Sequence, residues 1–201
     1  MFTQYKGVAS IFKAYWTTYG GLSALLCSPY LHFAVLLLAL TPRAWTGWGC
    51  DGLECTQWWE QSISVLPNLL GFTLGGFAIF IGFGDEKFRA LLAEDDEHSS
   101  VNAYVALCST FVHFILIQAL ALIVAIVAKS WWFYTPLLDS IRSWLPFLNG
   151  VGGAFGYGLF LYAITSVLAA TMHIFRIAKM YALFQAQSQK ATNVNAPDEP
   201  K

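Results

Sequence analysis

Four histidines, His32, His98, His113 and His173, are the side chains best placed for proton chemistry near neutral pH. They are too scattered to define a metal site. No HExxH pair occurs, and no glycine-rich phosphate loop follows a strand pattern. The stretches 65–84, 103–128 and 154–175 hold no Asp, Glu, Lys or Arg. An intramembrane catalytic dyad, or the buried acid of an ion-coupled carrier, would need one there. The expectation is therefore no catalytic set, no metal and no cofactor.

What the apolar stretches do contain is a polar stripe. At 100° per residue, Gly158, Tyr162, Ser166, Ala169, His173 and Arg176 fall on one helix face about 80° wide, with Thr165 beside it. In the preceding stretch Ser109 and His113 share a face, while Gln118 lies about 140° from His113 and must serve a different contact. Polar groups in hydrocarbon cost free energy unless paired or hydrated, so such faces look inward. His113, Tyr162, Ser166 and His173 are thus a candidate intramembrane polar face. It serves either hydrogen bonding between helices or a hydrated, proton-responsive path.

A second pattern concerns packing. Gly71, Gly75, Ala78 and Gly82 lie within about 60° of one another on a helix. Small residues let backbones approach closely, and close packing drives helix association in lipid. The alternative is that these glycines are hinges. Gly152 and Gly156 form a weaker pair of the same kind. Cys50 and Cys55 flank Asp51-Gly52 and could close a small disulfide loop in an oxidising compartment, or stay reduced. Cys27 and Cys108 read as small packing residues.

The elements that must position these residues follow from composition. The 201 residues are 57% hydrophobic and only 11% charged, with net charge −1. Soluble domains carry roughly a quarter charged residues, so this is the composition of a bilayer protein. No basic excess suggests nucleic acid. Residues 65–84, 103–128 and 154–175 each meet the ~20 residues needed to cross ~30 Å of hydrocarbon as a helix. A span over 22–41, kinked at Pro29, would be a fourth. A closed barrel would instead alternate polar and apolar residues. The predicted fold is an all-α polytopic membrane helix bundle with four transmembrane helices over residues 22–185.

Residues 1–21 read as an interfacial amphipathic helix. Val8, Ile11, Phe12, Tyr15 and Tyr19 recur at helical spacing, Lys6 and Lys13 lie opposite, and Gly20-Gly21 serves as hinge. A frayed terminus is the alternative. No continuous apolar core marks a cleaved signal peptide. Residues 186–201 are polar and read as a disordered cytoplasmic tail. Lys and Arg number eight on the side of the two termini and the loop 85–102, against three on the other. That predicts cytoplasmic termini in a bacterial inner membrane. Seven of the eight Trp then fall at the opposite interface. The acidic loop 85–102 is either a solvated surface or a docking site for a basic cytosolic protein.

Leu66-Pro67-Asn68-Leu69-Leu70-Gly71-Phe72, followed by Gly82-Phe83-Gly84-Asp85-Glu86-Lys87-Phe88, resembles small four-span bacterial membrane proteins of unassigned function. The membrane subunits of Kiwa-type anti-phage systems are similar in size and layout. The resemblance covers roughly residues 60–120 and assigns no functional residue. It implies an oligomeric membrane sensor working with a cytosolic effector. Function is accordingly read as a non-enzymatic, homo-oligomeric inner-membrane subunit that senses a membrane event and signals to a cytosolic partner. A small oligomeric ion channel is the alternative, and an enzyme acting on lipid ranks third.

Overall fold

The computed structural model describes residues 2–46, 57–82, 88, 90, 92, 103–131 and 145–194. Among these, all but Gly20, Cys27, Ser28, Thr41 and Gln57 are α-helical. Three helices are long and apolar enough to cross a membrane. They are α5 (Trp58–Gly82), α6 (Ala103–Trp131) and most of α7 (Leu145–Val194). Four shorter helices precede them: α1 (Phe2–Tyr19), α2 (Gly21–Leu26), α3 (Pro29–Leu40) and α4 (Pro42–Thr46).

Helices α5, α6 and α7 pack against one another, α3 and α4 lie on α7, and α1 meets α6. The register follows from the close contacts. Trp58 stands at Gly156 and Gly76 at Ile174, so α5 and α7 run parallel. Phe80 meets Tyr104 and Thr73 meets Gln118, so α6 runs back between them. Leu38 stands at Gly158, and Thr165 donates to the Tyr30 carbonyl, which makes α3 antiparallel to α7. One core cluster joins Trp58, Trp59, Leu66, Ala121, Phe160 and Leu161. A second joins Phe111, Phe114, Ala169 and Ala170 toward the other end.

The outward surface is apolar. Phe72, Ile79, Ile123, Phe155 and Phe175 all belong to the long helices and are more than half exposed. In water such a surface would aggregate; in a bilayer it faces chains as apolar as itself.

Two expectations change. The span 22–41 is not one kinked helix. Pro29 opens α3, and Ser28 before it is extended at ψ 122°. Proline disfavours helical geometry in the preceding residue, yet its own fixed φ suits a first helical position. The chain therefore breaks at Cys27-Ser28, leaving α3 with only 12 residues. The second change is at the C-terminal end. Residues 186–194 are helical, continuing α7 to 50 residues in all. At 1.5 Å per residue that is about 75 Å, more than twice the hydrocarbon thickness. Polar composition after Gln185 signals solvent exposure, which an extended helix satisfies as well as a coil does. Cys50, Cys55 and the loop 85–102, apart from Phe88, Ala90 and Leu92, lie outside the described residues, as does the tail from 195 onward.

Candidate functional site

The polar side chains inside the bundle form two separate clusters. The first is built around His113 of α6, which is only 1% exposed. Its Nδ1 lies 2.7 Å from the Tyr15 hydroxyl and its Nε2 lies 2.9 Å from the Tyr162 hydroxyl. A neutral imidazole has one N–H and one lone pair, so one tyrosine donates to it and the other accepts. Tyr19 stacks flat on the same ring, centroids 3.9 Å apart and planes 14° apart.

Tyr15 and Tyr19 reach one target because residues four apart share a helix face. Helix α1 ends immediately afterwards. Gly20 and Gly21 have φ of 101° and 65°, backbone conformations that residues with a Cβ avoid. At Gly20 a Cβ would also sit 2.9 Å from that of Ala24. Burial, with a smaller contribution from Tyr19, pushes the Tyr15 hydroxyl up to about 12. It therefore stays neutral and can donate at any physiological pH. The earlier part of α1 makes no comparable contact: Tyr5, Val8, Ile11 and Phe12 are between 56% and 72% exposed. The arm is thus fastened by its last turn.

The second cluster is centred on Gln118. Its Nε2 donates to Thr73 Oγ1 of α5 at 3.0 Å and to Ser166 Oγ of α7 at 3.4 Å. Those hydroxyls in turn donate to backbone carbonyls of their own helices, at Leu69 and Ala163. All three side chains are buried, and among the described residues Gln118 Oε1 has no partner. This cluster ties the three long helices together at one height.

The expected face of His113, Tyr162, Ser166 and His173 is therefore divided. Tyr162 joins His113, Ser166 joins Gln118, and His173 belongs to neither. The ring of His173 instead lies 6.0 Å from that of Phe114. Tyr15, Tyr19 and Thr73 were not singled out for this role by sequence reasoning. Two tyrosines four apart on an otherwise hydrocarbon face were the available signal for the first pair. For Thr73 the only signal was a hydroxyl in an uncharged span.

The small-residue stripe of α5 faces out of the chain. Among the described residues, a Cβ added at Gly71, Gly75 or Gly82 would meet nothing within 4 Å, and Ala78 is exposed. Close approach occurs at other glycines. Gly156 makes room for the Trp58 ring, Gly153 for the Trp45 carbonyl, and Gly158 for Leu38. Trp45, Trp58 and Trp59 thus gather at one end of the bundle, where Trp45 Nε1 donates to the Leu38 carbonyl at 3.2 Å.

No group of three or more His, Cys, Asp or Glu side chains converges among the described residues. The chain matches no family model, and no curated protein or solved structure matches it.

Proposed function

We propose that this protein is a non-enzymatic, oligomeric membrane subunit that senses an event in the bilayer and passes it to a cytosolic partner, in the setting of anti-phage defence. The observation that carries the reading is the attachment of the N-terminal arm by its last turn. Among the described residues, a largely exposed, apolar helix with Lys6 and Lys13 is held to the bundle by its last turn, where Tyr15 and Tyr19 close on His113. An element of low local stability attached to a stable core is the kind that moves in a switch.

The topology belongs to the same proposal. Helices α2 and α3, of six and 12 residues, together cover about 27 Å at 1.5 Å per residue. Tyr19 beside His113 and Leu38 beside Gly158 set them along the bundle, from the His113 level toward the Trp end. They would form a fourth, broken crossing, with α1 lying on the cytoplasmic interface. Both termini and the acidic loop 85–102 then face the cytosol, as the charge bias requires, and the loop serves as the docking site. The outward stripe of Gly71, Gly75, Ala78 and Gly82 supports assembly with further copies.

A pore through one chain is not part of the proposal, because Gln118 hydrogen-bonds both Thr73 and Ser166 and so ties these side chains together rather than leaving them to line a path. The test is co-purification of the tagged protein with the soluble product of the neighbouring gene, combined with phage plating. A membrane-bound complex and at least tenfold protection are expected, the protection lost in His113→Phe at unchanged protein level. A wild-type locus that neither protects nor yields a complex ends the reading.

A further inference from the structure

An apolar pocket of about 250 Å³ lies between α5, α6 and α7 at the end of the bundle away from the tryptophans. Its walls include Gly76, Ile79 and Phe80 of α5, Tyr104 of α6 and Ile174 of α7. Phe88 and Leu92, just beyond α5, complete it. The Phe88 ring packs on Tyr181 and Phe184 of α7, at 5.1 and 5.6 Å between centroids, which holds that wall in place. Gly76 keeps the space open: a Cβ there would already stand 3.3 Å from Ile174 Cδ1.

We propose that this pocket binds one acyl chain of a bilayer lipid. The lining is mainly apolar, with Tyr104 and Tyr181 its polar side chains, and a buried water needs two to four hydrogen-bond partners. Left empty, the walls would lose dispersion contacts on one side. The volume falls just under the ~300–1,000 Å³ of pockets that enclose a whole drug-sized ligand, which suits one chain rather than a complete lipid. Access is from the membrane: Ile79 and Ile174 line the pocket and are also 59% and 36% exposed on the outer face of α5 and α7. What the bilayer presents there is hydrocarbon. Ile177 of α7 also lines the pocket; Arg176 lies two residues beyond Ile174 and Lys179 two beyond Ile177, which places the pocket near the polar boundary, within reach of a chain whose headgroup stays in the interface.

The inference requires the membrane reading and not the signalling one; a filled pocket without a cytosolic partner would sink only the latter.

Photolabelling of the full-length protein tests it. Nanodiscs of phosphatidylethanolamine and phosphatidylglycerol would carry a trace of phosphatidylcholine with a diazirine midway along one acyl chain. Adducts are mapped by mass spectrometry after pepsin digestion. Phe88 and Leu92 are each only 4% exposed, so a carbene in bulk lipid cannot reach them, whereas Leu36 on α3 is 53% exposed and reports bulk contact. Labelling of both sites is expected. Gly76→Leu and, separately, Ile177→Trp should reduce labelling at Leu92 at least fivefold and leave Leu36 unchanged. If one variant fails to fold, the other decides. Labelling at Leu36 with none at Phe88 or Leu92 overturns the proposal. So does labelling at Leu92 that survives a folded filling variant. A photoreactive residue at position 92 that crosslinks to protein rather than lipid also overturns it.

Discussion

Tyr15 and Tyr162 hydrogen-bond opposite nitrogens of His113, so one imidazole bridges the N-terminal arm to the last long helix through the helix between them. Both bonds are within 2.9 Å, and the imidazole is buried. Removing either hydroxyl leaves a buried ring nitrogen without its partner, which is the costly kind of hydrogen-bond deletion.

Tyr15→Phe should therefore loosen the arm while sparing the bundle. The expected cost is about 1 kcal/mol, seen as faster proteolysis within residues 2–19 at an unchanged melting temperature for the helical core. His113→Phe should give the same arm release, and the double variant should add little to that release, because both remove the Tyr15–His113 bond; His113→Phe alone also breaks the bond to Tyr162. Full additivity of the two would show that Tyr15 and His113 act independently.

Gln118 makes the opposite prediction. Its carbonyl is buried and, among the described residues, unpaired, and the two hydroxyls its amide N–H meets already donate to backbone. Gln118→Leu loses weak bonds, worth about 0.6 kcal/mol each in membrane bundles, but also removes an unsatisfied polar atom. Its unfolding free energy should stay within about 1 kcal/mol of wild type. Gln118→Glu places an acid at the same site and should cost about 2.5 kcal/mol or more. A large loss for the leucine variant would mean that Gln118 Oε1 has an important partner, such as an ordered water.

Gly156 and Gly152 form a matched pair on α7. A Cβ at Gly156 would clash with the Trp58 ring, and at Gly152 it would meet nothing within 4 Å among the described residues. Gly156→Ala should cost about 1–3 kcal/mol by forcing Trp58 out of its notch. Gly152→Ala should be neutral, or stabilise by up to about 1 kcal/mol through helix propensity. Tryptophan fluorescence should shift for the first alone. Equal behaviour would contradict the packing of α5 on α7.

The proposed topology is checked by reporter fusions after residues 55, 95, 140 and 201, expected to read outside, inside, outside, inside. A cytoplasmic signal at 55 would show that α2 and α3 do not cross, leaving three spans. The disulfide between Cys50 and Cys55 would lose its oxidising compartment with them.

The long helices were legible because an uncharged run of 20 or more residues leaves hydrocarbon few alternatives to a helix. Gln118 was legible as a separate contact because its angle from His113 is fixed by helix geometry alone. The break at Ser28 was not. A proline can kink a helix or start one, and here the choice goes with tertiary partners, with Thr165 of α7 donating to the Tyr30 carbonyl just beyond it. Tyr15 and Tyr19 were hidden for a related reason: aromatic residues on an amphipathic helix serve interface anchoring equally well. Which glycines would meet a neighbour depends on how each helix is rotated about its axis. The stripe on α5 and the notch at Gly156 look alike in sequence and differ only in that rotation.

The outward stripe therefore carries the test of assembly. Gly75→Leu adds four carbons to a face where nothing in the chain stands within 4 Å among the described residues, so the fold of one copy has no reason to change. If another copy packs on Gly71, Gly75, Ala78 and Gly82, the added side chain separates the backbones. Overpacking of this kind costs about 1–3 kcal/mol. The detergent-solubilised protein should then shift to a smaller species by light scattering, while Leu74→Ile, on an adjoining and also exposed face, should keep the wild-type mass. A Gly75→Leu protein of unchanged mass and stability would place the stripe against lipid and remove the packing support for an oligomer. A loss of stability at constant mass would mean that part of the same chain outside the described residues covers it.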